Sequence, residues 1–171
     1  MRRRRVPDAV TGDVDAVIAG WKHELPDLDF SPLEVFSRMR RLGQALQVER
    51  ARAFERAGLE TGEFEILSRL CVAPHGMSTP SELAALTHTP SATMANRTDR
   101  LEQRGYVARK WNPDDTRSRI VRVTPEGRAV AEQAMRELVA AEVRMLDALS
   151  EEQRARLVEL LRILGAERPP T

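Results

Sequence analysis

Thr79-Pro80-Ser81-Glu82-Leu83-Ala84-Ala85-Leu86-Thr87-His88-Thr89-Pro90-Ser91 carries two helix starts within thirteen residues. Thr79 is a cap residue, Pro80 fits the first helical position and Glu82 can close a capping box. Leu83, Ala84 and Leu86 make the first helix apolar on one side. Thr89-Pro90-Ser91 repeats the cap-plus-proline device and opens a second helix, which Gly105 ends. Beyond it Tyr106-Val107-Ala108-Arg109-Lys110-Trp111 and Ile120-Val121-Arg122-Val123 read as strands. The intervening Asn112-Pro113-Asp114-Asp115-Thr116-Arg117-Ser118-Arg119 reads as a turn with arginines at its tip. A helix-turn-helix followed by a basic hairpin is the plan of a winged helix, with one helix for the major groove and a wing for the flanking backbone. This stretch points to double-stranded DNA.

Outward from it, the expected class is mainly α with a small β wing. Residues 1–11 form a basic tail, Arg2 to Arg5, without apolar periodicity, expected to be disordered. Residues 12–57 hold two helices. The first has Val14, Val17, Ile18 and Trp21 on one side, and the second starts at Ser31-Pro32 with Leu33, Phe36, Met39, Leu46, Ala53 and Phe54 along a stripe. Residues 61–124 are the winged helix-turn-helix. Residues 125–166 hold two more helices, opened by Thr124-Pro125 and by the capping box Ser150-Glu151-Glu152-Gln153. The apolar stripes at both ends exceed what a compact winged core covers, so a homodimer through the terminal helices is expected, the alternative being that they pack on their own domain. Two recognition helices about a two-fold axis enter major-groove faces about 34 Å apart, which makes the operator a pseudo-palindrome.

Composition narrows the class. The 171 residues hold 27 basic and 26 acidic side chains, a net charge of +1, so the distribution of charge matters rather than its sum. Arg97, Arg100, Arg104, Arg109, Arg117, Arg119 and Arg122 crowd the second helix and the wing. The single cysteine, Cys71, excludes an intramolecular disulfide and, flanked by no base, reads as a structural thiol rather than a redox sensor. The absence of a long apolar run argues against a membrane span, and a cytoplasmic location is expected. No cofactor or metal is expected, since His23, His75 and His88 make no ligand cluster with Cys71. No nucleophile–base pair, phosphate loop or paired-acid arrangement stands out, so no enzymatic activity is expected.

On the second helix Met94, Thr98 and Leu101 share an inward face, leaving Ser91, Thr93 and Asn96, with Arg97 and Arg100 beside them, as candidate DNA contacts. Arg117 and Arg119 on the hairpin suit a narrow minor groove. The leading expectation is a sequence-specific transcriptional regulator, with repression ahead of activation. The alternative is a winged-helix architectural or protein-interaction module without effector response.

Thr61-Gly62-Glu63-Phe64-Glu65-Ile66-Leu67, Thr79-Pro80-Ser81-Glu82-Leu83-Ala84, Arg100-Leu101-Glu102-Gln103-Arg104-Gly105-Tyr106-Val107, Asp114-Asp115-Thr116-Arg117 and Val123-Thr124-Pro125-Glu126-Gly127-Arg128 resemble the MarR family of regulators, from about residue 33 onward. The resemblance implies a dimeric winged-helix regulator, usually a repressor, released from DNA by a small ligand or by oxidation. It also implies that Asp115 orients Arg117 in the wing. The extra first helix with Trp21 is similar to the urate-responsive branch, in which a tryptophan faces an acid and two arginines. The matching positions here are Trp21, Glu65, Arg97 and Arg109, with Glu65 standing where that branch has aspartate. Two guanidiniums suit urate or a small carboxylate as effector.

Overall fold

The computed structural model describes residues 14–112 and 115–166, with backbone only at 112 and 115–118. The basic tail and the side chains of Asp115 and Arg117 lie outside the described residues. The elements run α1 (Val14–Glu24), α2 (Ser31–Arg56), α3 (Thr61–Val72), a 3-10 turn (Pro74–Gly76), β1 (Met77–Ser78), α4 (Pro80–Leu86), α5 (Ser91–Gln103), β2 (Val107–Asn112), β3 (Asp115–Val123), α6 (Pro125–Met145) and α7 (Glu151–Ala166). Among the described residues no helix is long and apolar enough to cross a membrane.

The chain divides into two compact units, residues 1–48 and 49–171. In the first, Ile18 of α1 and Phe30 are buried, while Trp21, Leu33, Phe36 and Leu42 stand 51%, 42%, 49% and 56% exposed. The stripe expected along α2 is thus left open to solvent over its first half. Lys22 of α1 bonds Glu34 of α2 at 3.1 Å.

The second unit has a core of Phe54, Phe64, Leu67, Leu70, Leu83, Met94, Leu101, Val107, Val121 and Ala134. Phe54 stacks on Phe64 with centroids 4.2 Å apart. The helix starts follow sequence chemistry. Thr79 Oγ1 accepts the Glu82 N–H at 3.2 Å and Glu82 Oε2 accepts the Thr79 N–H at 2.9 Å, the full capping box. These bonds hold the Glu82 carboxyl below its usual range. Their stabilisation is therefore present above the ordinary glutamate pKa and fades as pH falls through the lowered one. The reciprocal pair at Ser150 and Gln153 is also made, at 3.2 and 2.8 Å.

The second cap differs from expectation. Pro90, not Thr89, holds the cap position of α5, with no side-chain cap bond. Thr89 Oγ1 instead donates to the Thr87 carbonyl at 3.2 Å and accepts from Arg97 at 3.3 Å, closing the turn beside His88, whose φ is +49°.

The three-stranded antiparallel sheet has the order β1-β3-β2. Val107 lies opposite Val123, Ala108 opposite Arg122, Arg109 opposite Val121 and Lys110 opposite Ile120. Val107, Val121 and Val123 face the helices, so Ala108, Lys110 and Arg122 alternate to the outer face. Sheet and α6 meet at Gly127, where a Cβ would stand 1.9 Å from the Tyr106 carbonyl oxygen. That oxygen already accepts the Thr124 N–H at 3.1 Å, so neither backbone can retreat. Gly127→Ala is expected to destabilise by about 3 kcal/mol or more, outside the ordinary range for surface changes. A denaturant midpoint within experimental error of the parent would contradict this contact.

Candidate nucleic-acid interface

α4 and α5 are joined by the four-residue turn 87–90, and α5 docks on the core through Met94, Thr98 and Leu101, each buried. Spaced four and three apart, these residues mark one side of the helix and leave another side free. Thr93 and Asn96 lie on that free side, exposed, in the first two turns of α5, and Ser91 is exposed at the helix start on the flank that borders Met94 and Thr98. Short polar side chains at the N-terminal end of such a helix suit base edges and phosphate.

The arginines of α5 do something that periodicity does not reveal. Arg97, Arg100 and Arg104 descend one flank of the helix and meet the first turn of α3. Arg97 lies across Gly62, where a Cβ would come within 2.1 Å of the guanidinium carbon. Arg100 grips Glu60 with two parallel bonds of 2.8 and 2.7 Å. That fork, first of all, holds the Glu60 carboxyl below its ordinary range. Arg104 bonds Glu63 at 3.0 Å and the Gly58 carbonyl at 2.6 Å, with its guanidinium 4.6 Å from the Tyr106 ring centre. Glu63 is 3% exposed and accepts the Glu60 N–H as well, at 3.0 Å. One buried carboxylate therefore anchors the C-terminal half of the recognition helix. Sequence reading missed Glu60 and Glu63. Their partners lie about forty residues away, and the local Thr61–Leu67 pattern shows only a helix start.

On another flank of α5, Arg109 pins the wing. Its guanidinium contacts Asp99 at 2.5 Å and Thr98 Oγ1 at 2.6 Å, with Glu102 at 3.6 Å, and its N–H donates to Glu102 at 3.2 Å. Strand β2 is thereby tied to the recognition helix. Farther along, the Arg119 guanidinium stacks 4.8 Å over the exposed Trp111 ring.

The four positions matched to the urate-responsive branch divide between the two units, three of them in the second. Trp21 belongs to the first unit. Glu65 is exposed on α3. Arg97 extends from α5 toward Gly62, whereas Arg109 of β2 meets another flank of α5 at Asp99 and Glu102. Arg109 and Arg119 both line a cavity of about 190 Å³ with Pro80, Ser81, Met94 and Ala95. Among the described residues no His/Cys/Asp/Glu group has the arrangement of a metal site. Cys71 is half-buried, and burial raises its thiol pKa, the opposite of a reactive thiolate.

A capped helix pair whose second member shows a free polar face, with a hairpin pinned alongside, defines a winged helix-turn-helix DNA-binding protein. Residues 59–118 match the model of the MarR family. The chain is 33% identical to the helix-turn-helix transcriptional regulator PecS of Dickeya dadantii, over 87% of this chain and 90% of that one. It is 27% identical to the transcriptional repressor YetL of Bacillus subtilis, over 79% and 81% of the two chains. The MarR-family regulator Sco3205 of Streptomyces coelicolor, solved in complex with DNA, superposes with a TM-score of 0.69 at 26% identity, over 84% and 92% of the chains. The chain belongs to the MarR family of transcriptional regulators, which act by binding DNA and not by catalysis.

Proposed function

We propose that this protein is a repressor that binds a pseudo-palindromic operator as a homodimer and is released by a small anion. The observation that carries the DNA reading is the free polar side of α5, with Thr93 and Asn96 exposed, and Ser91 exposed at its start, while Met94, Thr98 and Leu101 anchor the opposite side. In this reading Asn96 reads a base edge. Arg97 and Arg100, at the border with α3, reach phosphate at the cost of their present contacts, and Arg117 and Arg119 address the minor groove, with Asp115 steering Arg117. Repression follows the relative YetL, which is named a repressor. A mobility-shift titration tests the reading. The full chain should retard duplex containing its operator with an affinity that falls steeply with salt. Asn96→Ala should weaken operator binding by about 1–3 kcal/mol while sparing unrelated duplex. Equal weakening on both duplexes would take Asn96 out of base reading.

Dimerisation is supported by α7, none of whose residues is buried although Val158, Leu160, Leu161, Ile163 and Leu164 are 42–55% exposed. An effector is supported by the cavity that Arg109 and Arg119 share, where two guanidiniums stand above the apolar Met94 and Pro80. A planar carboxylate or urate entering there competes with Asp99 and Glu102 for Arg109, and so loosens wing from helix. Trp21, Glu65 and Arg97 join Arg109 as proposed ligand-binding residues through the resemblance to the urate-responsive branch. Titrating the protein–DNA complex with urate and small dicarboxylates should release the parent and spare Arg109→Ala. Equal release of both would remove Arg109 from the response.

A further inference from the structure

The outer face of the wing base gathers positive charge that the DNA-reading side of the molecule does not use. Lys110, Arg122 and Arg128 line an open cleft of about 560 Å³ there, with His75 on its rim and Val123 and Pro125 among its walls. Elsewhere in the second unit arginines are matched to carboxylates: Arg50 to Glu142 at 2.6 Å, Arg56 to Glu137 at 2.7 Å, Arg100 to Glu60 at 2.7 Å and Arg109 to Asp99 at 2.5 Å. The three cations of the cleft meet no carboxylate among the described residues, and Arg128 donates only to the Cys71 carbonyl, at 3.3 Å. Glu126, in the first turn of α6, is exposed, and Glu132, one turn beyond Arg128, lies with it near Cys71, but neither lines the cleft. In a chain whose charges nearly balance, three cations in a cleft whose lining holds no carboxylate leave a local field for an anion to fill.

The rim is held in a conformation that side chains rarely adopt. His75 has φ +55° and Gly76 φ +68°, and a Cβ on Gly76 would stand 3.0 Å from Val123 Cγ1. Non-glycine residues in the left-handed region persist where their surroundings impose it, which is frequent at ligand clamps. Pro125 also opens the 21-residue helix α6 at this edge, adding the positive end of its dipole.

Position separates this cleft from the DNA surface. Arg109 points to α5, so its neighbour Lys110 points away, and Arg122 shares that outer face. Arg122 also sits near the far end of the nine-residue β3 from the hairpin tip, roughly 20 Å at about 3.3 Å per residue. We propose that this cleft is a binding site for a small, multiply charged phosphate-bearing molecule, distinct from the operator surface and from the Arg109–Arg119 cavity. A phosphate offers several acceptor oxygens and up to two charges, and guanidinium forks match it in pairs. A single carboxylate would leave two of the three cations unmatched. Ala108, Val123 and Pro125 supply an apolar wall for the organic portion.

Calorimetric titration of the full chain with pyrophosphate and tripolyphosphate tests the site. Saturable binding, one anion per chain, is expected. Lys110→Gln/Arg122→Gln should weaken it by roughly tenfold or more, while Arg136→Gln, farther along α6, leaves it within about twofold. Three results overturn the proposal. The first is no saturation of the parent by either anion below about 10 mM. The second is equal weakening by Arg136→Gln, which would signal diffuse attraction. The third is displacement of pyrophosphate by duplex DNA, which would assign the cleft to the nucleic acid.

Discussion

Leu161→Glu/Leu164→Glu should turn the proposed dimer into a folded monomer and lower operator affinity by roughly 100-fold or more. The two leucines lie one turn apart on α7, 46% and 42% exposed, on a helix that contributes nothing to its own chain's core. Burying each against a second copy is worth about 1.5–3 kcal/mol, and a carboxylate in the same place is strongly disfavoured. Because Phe54, Phe64, Leu67, Leu83, Met94 and Leu101 form the core without α7, the monomer keeps its winged fold. It then grips one half-site instead of two and loses the second half-site's base and phosphate contacts. Sedimentation equilibrium checks the association and a mobility shift checks the affinity. A double variant that stays dimeric would remove α7 from the interface. One that becomes monomeric yet keeps full affinity would break the link between pairing and operator reading.

The second large effect belongs to Glu63. Truncation to alanine removes the partner of Arg104 at 3.0 Å and the acceptor of the Glu60 N–H at 3.0 Å, and leaves a void where the carboxylate is 3% exposed. Loss of one member of a buried charged network costs about 2–4 kcal/mol. Part of that loss falls on α5, whose C-terminal half is held to α3 by Arg104 and Arg100, so operator binding should weaken by roughly tenfold as well. The exposed neighbour provides the contrast. Glu60→Ala removes a solvent-facing pair with Arg100 and should cost less than about 1 kcal/mol. Denaturant midpoints of the two variants give the comparison. Similar small shifts for both would mean that the buried carboxylate does not anchor the recognition helix.

Where the chain's own local chemistry sets structure, sequence reading sufficed. Thr79 with Glu82 and Ser150 with Gln153 announce their helices because each cap is closed within three residues. The inward Met94, Thr98 and Leu101, and hence the outward Thr93 and Asn96, follow from the 3.6-residue period. Non-local pairing was invisible. β1 is two residues long and exists because Met77 and Ser78 pair with Arg122 and Val121. β3 starts at Asp115, five residues before its apolar portion, because the hairpin ladder and not alternation extends it. The same holds at the interface. The arginines of α5 were legible as a basic cluster, but which of them were tied to Glu60 and Glu63 depends on contacts across about forty residues of chain. Thr89 shows the converse hazard, a good cap residue drawn instead into bonds with Thr87 and Arg97.

The central claim is that two winged units read a two-fold DNA site, and selection of duplexes from a random pool, followed by hydroxyl-radical footprinting of the winners, tests it most directly. The account predicts an enriched inverted repeat with half-site centres about one helical turn apart and protection that repeats about the dyad. Enrichment of no sequence by folded protein, or of a single undivided site protected by one chain, would contradict it.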